Sequence, residues 1–254
     1  MMRSFLLIGQ SNAAGRGFLQ EAPPLDDCGG RIKMMRNGRW HKIFRPINPD
    51  RSFSGYSFAE SFAKAYAEAV PEIKIGIIPC ADGGTRLEQW LPGSLLFDHA
   101  VNCAKLAMRT SNLSGILWHQ GEGDCLPERY SCYAERFEGI MDAMRKELGL
   151  PELPILVGGL GEFLAHRVES ENTKNYPYVN EQLEKIAREY PHCTFVSAKG
   201  LGSNPDNLHF SAAALEEFGV RYFDAFRTTE AYAKSLDESE IVRHEEILTE
   251  MEKL

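Results

Sequence analysis

No stretch of the chain approaches the roughly 18 consecutive apolar residues of a membrane-spanning helix. The apolar run at its start, Phe5–Ile8, is shorter than the hydrophobic region of an export signal, and only Arg3 precedes it as a basic residue. No leader is therefore expected, and a cytoplasmic protein is. Long basic runs are missing too. The formal net charge is −8, and nothing concentrates Lys and Arg as a nucleic-acid backbone or an anionic membrane surface requires. Neither is expected as a partner. The six cysteines (Cys28, Cys80, Cys103, Cys125, Cys132, Cys193) contain no Cys-x-x-Cys pair. That argues against a disulfide framework or zinc knuckle and for free thiols in a reducing compartment. Two catalytic signatures are also absent. There is no Gly-x-Ser-x-Gly elbow and no Gly-x-x-x-x-Gly-Lys phosphate loop, and Gly15-Arg-Gly17 lacks the rest of a dinucleotide fingerprint.

What remains is a chain of 254 residues, 43% of them hydrophobic, enough for one sizeable core. Short apolar runs at Phe5–Gly9, Ile73–Ile78, Leu113–Trp118, Ile155–Gly158 and Thr194–Ser197 read as strands. Between and after them, apolar residues recur at three- and four-residue spacing over Tyr56–Ala69, Leu95–Arg109, Tyr130–Leu148, Tyr176–Glu189 and Ser211–Arg227. Strand and helix alternate five times, which predicts an α/β domain on a five-stranded parallel sheet. Asn37-Gly38, flanked by Arg31–Arg36 and Arg39–Phe44, predicts a small β-hairpin insertion at the edge of the sheet or over its top. One domain is expected over residues 1–235. The charged tail at 236–254, with Ile241, Leu248 and Met251 as its apolar points, is expected as a last helix packed on that domain.

Parallel α/β sheets bind ligands beyond the carboxyl ends of their strands, so the strand exits are where chemistry is sought. The first exit reads Gln10-Ser-Asn12 and the second Pro79-Cys-Ala-Asp-Gly-Gly-Thr-Arg-Leu-Glu-Gln-Trp90. The third reads Trp118-His-Gln-Gly-Glu-Gly-Asp124 and the fifth Asn204-Pro-Asp-Asn-Leu-His-Phe-Ser211. Four exits thus bring polar residues to one crevice. A serine hydroxyl becomes a nucleophile only when a base accepts its proton and a third group orients that base. Asp206 and His209, three residues apart, can place a carboxylate on one ring nitrogen while the other faces Ser11. Gly83 and Gly84 admit backbone N–H groups close to a ligand. With the Ser11 N–H and the Gln120 amide they can form an oxyanion hole. Gln10, Asn12 and Arg86 are possible substrate contacts, although Asn12 also reads as a cap for the following helix. Trp90 reads as readily as a core aromatic, and Arg16, Ser54 and Tyr56 as possible crevice residues. His119, Glu122, Asp124 and Cys125 crowd one loop, but adjacent ligands lack the spacing of a zinc site. No metal and no cofactor is expected, and Asp124 is expected to brace its loop.

These residues match a family in order: Gly9-Gln-Ser-Asn12, Gly83-Gly-Thr85 with Trp90, Gln120-Gly-Glu122 with Asp124, and Asp206-x-x-His209. The chain resembles the sialate O-acetylesterase and acetylxylan esterase branch (carbohydrate esterase family 6) of the SGNH hydrolases. The resemblance implies a flavodoxin-like three-layer α/β/α sandwich, with Ser11 as nucleophile, His209 as base and Asp206 as its orienter. It also implies oxyanion donors from Ser11, Gly83, Gly84 and Gln120, and no metal. Ala13 stands where family members often have Met, and Gly123 where they often have Ser. Both changes reduce bulk near the presumed pocket. Some relatives use the acid at the Glu122 position as the partner of the histidine, so that choice stays open here; the three-residue spacing favours Asp206. The function so expected is a serine esterase removing small acyl groups, foremost acetyl, from a carbohydrate. The alternatives are a non-catalytic carbohydrate-binding relative and an esterase or thioesterase for lipid-like acyl chains.

Overall fold

A computed structural model describes residues 2–237. Strand β1 (Met2–Gly9) leads into a one-turn helix α1 (Ser11–Ala14), then a hairpin of β2 (Ile32–Arg36) and β3 (Arg39–Lys42). Helix α2 (Phe58–Ala69), β4 (Lys74–Pro79), α3 (Leu95–Ala107) and β5 (Asn112–His119) follow. The chain continues through α4 (Pro127–Tyr130), α5 (Tyr133–Leu148), β6 (Ile155–Gly158), α6 (Tyr176–Glu189), β7 (Cys193–Val196) and α7 (Ala212–Phe226). The long helices start where the serines predict. Ser57, Ser94 and Ser211 cap α2, α3 and α7, each side chain accepting a backbone N–H of the first turn. The helix expected over 130–148 is interrupted at residues 131–132, between α4 and α5.

All seven strands form one sheet in the order β3-β2-β4-β1-β5-β6-β7, parallel except for β3. The expected five-stranded sheet is thereby corrected to seven. Its five strands are all present, in the flavodoxin-like order β4-β1-β5-β6-β7, and the hairpin extends the sheet past β4. Asn37 and Gly38 both take positive φ, 49° and 70°, the two-residue turn whose twist suits a hairpin. Ile32–Met34 then pair in parallel with Ile75–Ile77. Helix α2 packs on α7 over one face of the sheet, and α3, α5 and α6 make a layer over the other.

Both faces of β1 are covered, so Phe5–Ile8 is a continuous buried run. Phe5 meets Phe62 and Phe226 edge to face at 4.7 and 4.9 Å. Trp118 on β5 packs against Trp90 and Phe137, so Trp90 is a core residue. Truncating such a ring costs about 3–5 kcal/mol. Among the described residues no helix is long and apolar enough to cross a membrane. Residues 230–237 are helical. The rest of the tail expected at 236–254, with Ile241, Leu248 and Met251, lies outside the described residues.

Candidate functional site

Strand β1 sits at the point where successive strands depart to opposite sides of it, the place such sheets bind ligands. Its last residue, Gly9, has φ +128°, and a Cβ there would lie 2.0 Å from the His119 carbonyl oxygen. Glycine therefore lets β1 and β5 leave the sheet in contact, and the Gln10 N–H donates to that same carbonyl at 2.9 Å. Helix α1 begins at the next residue. Unlike Ser57, Ser94 and Ser211, Ser11 caps nothing: it occupies the first helical position, and its Oγ lies 3.0 Å from His209 Nε2.

His209 reaches Ser11 on the loop between β7 and α7. The Asp206 Oδ1 accepts the backbone N–H of Leu208 and of His209, both at 3.0 Å, closing a tight turn. Its Oδ2 lies 2.6 Å from His209 Nδ1. Burial pushes the Asp206 carboxyl up, but the His209 and Leu208 N–H donors and the imidazole outweigh it and hold the group below its ordinary value. A carboxylate at Nδ1 keeps the proton on that nitrogen and leaves the Nε2 lone pair for the Ser11 hydroxyl. The structure thus brings Ser11, His209 and Asp206 into one hydrogen-bonded chain.

Glu122 is not part of it. Its Oε1 accepts from Asn12 Nδ2 at 2.5 Å and lies 3.9 Å from His119 Nδ1. Asn12 is fully buried. Its Nδ2 also donates to the Leu208 carbonyl, and its Oδ1 accepts the Phe210 N–H. Two expectations for Asn12 are corrected by these bonds: it neither caps α1 nor contacts substrate, because all its polar atoms tie the first exit to the third and to the His209 loop.

The predicted oxyanion donors separate in the same way. Gln120 is fully buried, and its Nε2 donates to Asp124 Oδ2 at 2.5 Å, the Thr85 carbonyl at 3.2 Å and Gln10 Oε1 at 3.3 Å. Its Oε1 accepts from the Tyr133 hydroxyl. This corrects the expectation of a Gln120 oxyanion donor, since the amide has no access to the crevice. The Gly83 N–H donates to Asp50 Oδ2 at 2.8 Å and is likewise committed. Among the described residues, the N–H groups of Ser11 and Gly84 have no acceptor, and both residues line the crevice. Gln10 Oε1 takes the Gln120 amide and, at 3.3 Å, the N–H groups of Gly121 and Gly123. Arg86 is exposed beside Glu88 and does not line the crevice. Ala13, within α1, is fully buried and does not line the crevice, whereas Gly123 does. Asp124 braces its loop, its Oδ2 accepting the Leu87 N–H and the Gln120 amide. Burial raises its pKa despite those donors.

One pair escaped the sequence reading. Arg16 grips Asp50 through two N–H groups at 3.0 and 2.7 Å, both side chains almost fully buried. Asp50 also accepts from Ser54 Oγ and the Gly83 N–H. Burial pushes its carboxyl up, yet the Arg16 and Ser54 hydrogen bonds, the Arg16 charge and the Gly83 N–H bring it below its ordinary value. A Cβ on Gly83 would lie 2.5 Å from Arg16 Nη2 and 2.8 Å from Asp50 Oδ2. The pair therefore sets where the Gly83-Gly84 turn stands relative to Ser11. No motif marks Asp50, which follows Pro49 in an irregular segment. The crevice above Ser11 holds about 410 Å³ and is lined by Arg16, Arg51, Phe53 and Arg167 besides the residues already named.

The profile of a family described as carbohydrate esterase, sialic acid-specific acetylesterase, matches residues 1–228. A probable carbohydrate esterase of Arabidopsis thaliana is 26% identical over 246 residues, spanning 87% of this chain and 89% of its own. The crystal structure of that plant protein superposes with a TM-score of 0.80 at 25% identity, covering 89% of this chain and 98% of that one. NanS superposes with a TM-score of 0.71 at 18% identity, covering 89% and 96% of the two chains. For the carbohydrate acetylesterase XAC1771 of Xanthomonas citri the values are 0.65 and 20%, with 91% of this chain and 56% of that one covered. The last two show likeness of fold.

Proposed function

The chain belongs to the carbohydrate esterase family of sialic acid-specific acetylesterases, and from that premise we propose that it is a serine esterase releasing O-acetyl groups from a carbohydrate. The observation that carries the mechanism is the chain Ser11 Oγ, His209 Nε2 at 3.0 Å, and Asp206 Oδ2 2.6 Å from His209 Nδ1. Ser11 Oγ attacks the ester carbonyl as His209 Nε2 takes its proton, and Asp206 stabilises the imidazolium that forms. The developing oxyanion lies against the N–H groups of Ser11 and Gly84; one such donor is worth about 3–4 kcal/mol in the transition state. His209 returns the proton to the departing sugar hydroxyl, leaving acetyl on Ser11. It then activates a water that releases acetate and restores the serine.

The lining of the crevice favours a polar alcohol. Of the charged groups around the serine, Arg16 and Glu122 are already buried, while Arg51 and Arg167 reach solvent; a long acyl chain laid over those two would strip their water with nothing in return. Arg51 is paired with Asp82 at 2.8 Å, so Arg167 is the cation of the lining that puts an acidic acetylated sugar among the substrates to try. Purified protein is expected to hydrolyse p-nitrophenyl acetate. Ser11→Ala is expected to abolish turnover with an unchanged circular dichroism spectrum, and unaltered turnover in that variant would remove the nucleophile from this account. Acetate release from acetylated sialic acids, xylo-oligosaccharides and neutral monosaccharides then ranks the substrates.

A further inference from the structure

At the exit of β4, outside the lining of the Ser11 crevice, three ligating side chains converge that the esterase reaction does not use. Cys80 directly follows β4 and is buried, its N–H donating to the Leu7 carbonyl. His99 and Cys103 lie four residues apart on α3 and so share one face of that helix. The Sγ of Cys80, a ring nitrogen of His99 and the Sγ of Cys103 lie within 4.8 Å of one another. Cys103 Sγ is 3.8 Å from His99 Nε2 and 3.9 Å from Nδ1.

We propose that Cys80, His99 and Cys103 bind a zinc ion. Zinc–sulfur and zinc–nitrogen bonds of about 2.3 and 2.0 Å at tetrahedral angles hold a sulfur and a nitrogen about 3.6 Å apart, and two sulfurs about 3.8 Å apart. The Cys103–His99 separation is already within tenths of an ångström of that, and His99, exposed on the helix, can turn to close the rest. Two thiolates and an imidazole select zinc over magnesium or calcium, which take oxygen ligands. A recess of about 230 Å³, lined by Asn48, Asp82, Cys80 and His99 among others, opens the fourth position to water. Binding exchanges protons for metal: a thiol still protonated gives up its proton as its sulfur takes up the ion, so zinc uptake is accompanied by proton release. The ion would link the end of β4 to α3, on the segment that leads into the Gly83-Gly84 turn. No spacing along the chain announces the site, because its ligands come from a strand exit and a helix that meet only in the folded protein.

The test uses reduced, chelator-stripped full-length protein. Isothermal titration with zinc chloride is expected to show one ion per chain, with proton release revealed by the buffer dependence of the heat. Cobalt chloride is expected to give thiolate-to-cobalt charge-transfer absorption. His99→Ala and Cys103→Ser, both on the accessible face of α3, should each weaken zinc binding by about tenfold or more while circular dichroism and acetyl ester turnover stay those of the parent. Zinc should raise the melting temperature of the parent and not of Cys103→Ser. Absence of saturable uptake, or uptake that neither substitution weakens, overturns the proposal. So does reduced protein that takes up no metal and, on air oxidation, loses two hydrogens in the parent but not in Cys103→Ser, with a Cys80–Cys103 peptide adduct found by mass spectrometry.

Discussion

Three strand exits meet at Ser11, and they do two kinds of work. The exits after β1 and β7 present Ser11 and His209 to an open crevice, joined by a 3.0 Å hydrogen bond and backed by Asp206 at 2.6 Å. The exit after β5 is richer in polar residues, yet Gln120 and Asp124 are buried and committed, Gln120 to Asp124 and Thr85, Asp124 to the Leu87 N–H; Glu122 holds Asn12 through Oε1 and keeps Oε2 without a partner among the described residues, at the crevice. The first arrangement is the one our proposal uses as a proton relay; the second is a frame. A buried polar group with all its bonds made holds position and has no lone pair or proton left for a substrate. The difference is one of exposure and commitment, which residue type alone does not express.

Substitutions sharpen that contrast, because relay and frame should fail differently. The largest effect is expected from His209→Ala. Acetyl ester kcat/KM should fall by on the order of 10⁵-fold, since Ser11 loses its base, while the melting temperature moves little. Stopped-flow p-nitrophenol release and a melting curve measure both. Asp206→Asn should follow at about 10³–10⁴-fold, the loss falling on kcat, because an amide no longer fixes the imidazole tautomer. A drop below tenfold would return the orienting role to Glu122. Gly83→Ala should cost about 10²–10³ in kcat by displacing the turn that carries the Gly84 N–H. The steric cause is direct, since the new methyl would meet the Arg16–Asp50 pair.

Frame substitutions should read the other way. Gln120→Ala takes a donor from the Thr85 carbonyl and from Asp124 Oδ2, while the Tyr133 hydroxyl keeps the Gln120 backbone carbonyl. It should destabilise the fold by about 1–3 kcal/mol, measured by urea unfolding. Turnover per folded molecule should stay within about tenfold of the parent, well short of the 10²–10³ expected for an oxyanion donor. A larger kcat loss with unchanged stability would move Gln120 from frame to relay. The smallest effect concerns pH. The Asp50 carboxyl has a folded pKa below its ordinary 3.8. Its stabilising contribution is therefore complete above about pH 4 and lost as pH falls through the folded value. Asp50→Asn should flatten the acid limb of melting temperature against pH and leave the neutral limb parallel to that of the parent.

Much of this architecture is legible in the residues. Phe5–Ile8 reads as a buried parallel strand because it is one, and Asn37-Gly38 specifies a hairpin because both positions need positive φ. Asp206 and His209 are legible as a pair because their contact is local, three residues apart on one turn. What escapes is tertiary. Whether the hairpin joins the sheet depends on β2 finding the edge of β4, so five strands become seven. Asn12 looks like a cap and Gln120 like an oxyanion donor until their partners, 196 and 35 residues away, are in place. Asp50 sits in an irregular segment where nothing local predicts a buried guanidinium partner. Bonds across such separations leave no periodic or spacing signal along the chain.

The central claim is that Ser11 carries the acyl group. Intact-protein and peptide mass spectrometry after a fluorophosphonate reagent tests it most directly. One covalent adduct per chain, on the peptide containing Ser11, absent from Ser11→Ala and slow in His209→Ala, is the predicted result. No adduct on protein that hydrolyses acetyl esters, or an adduct on another residue that survives Ser11→Ala, would contradict it.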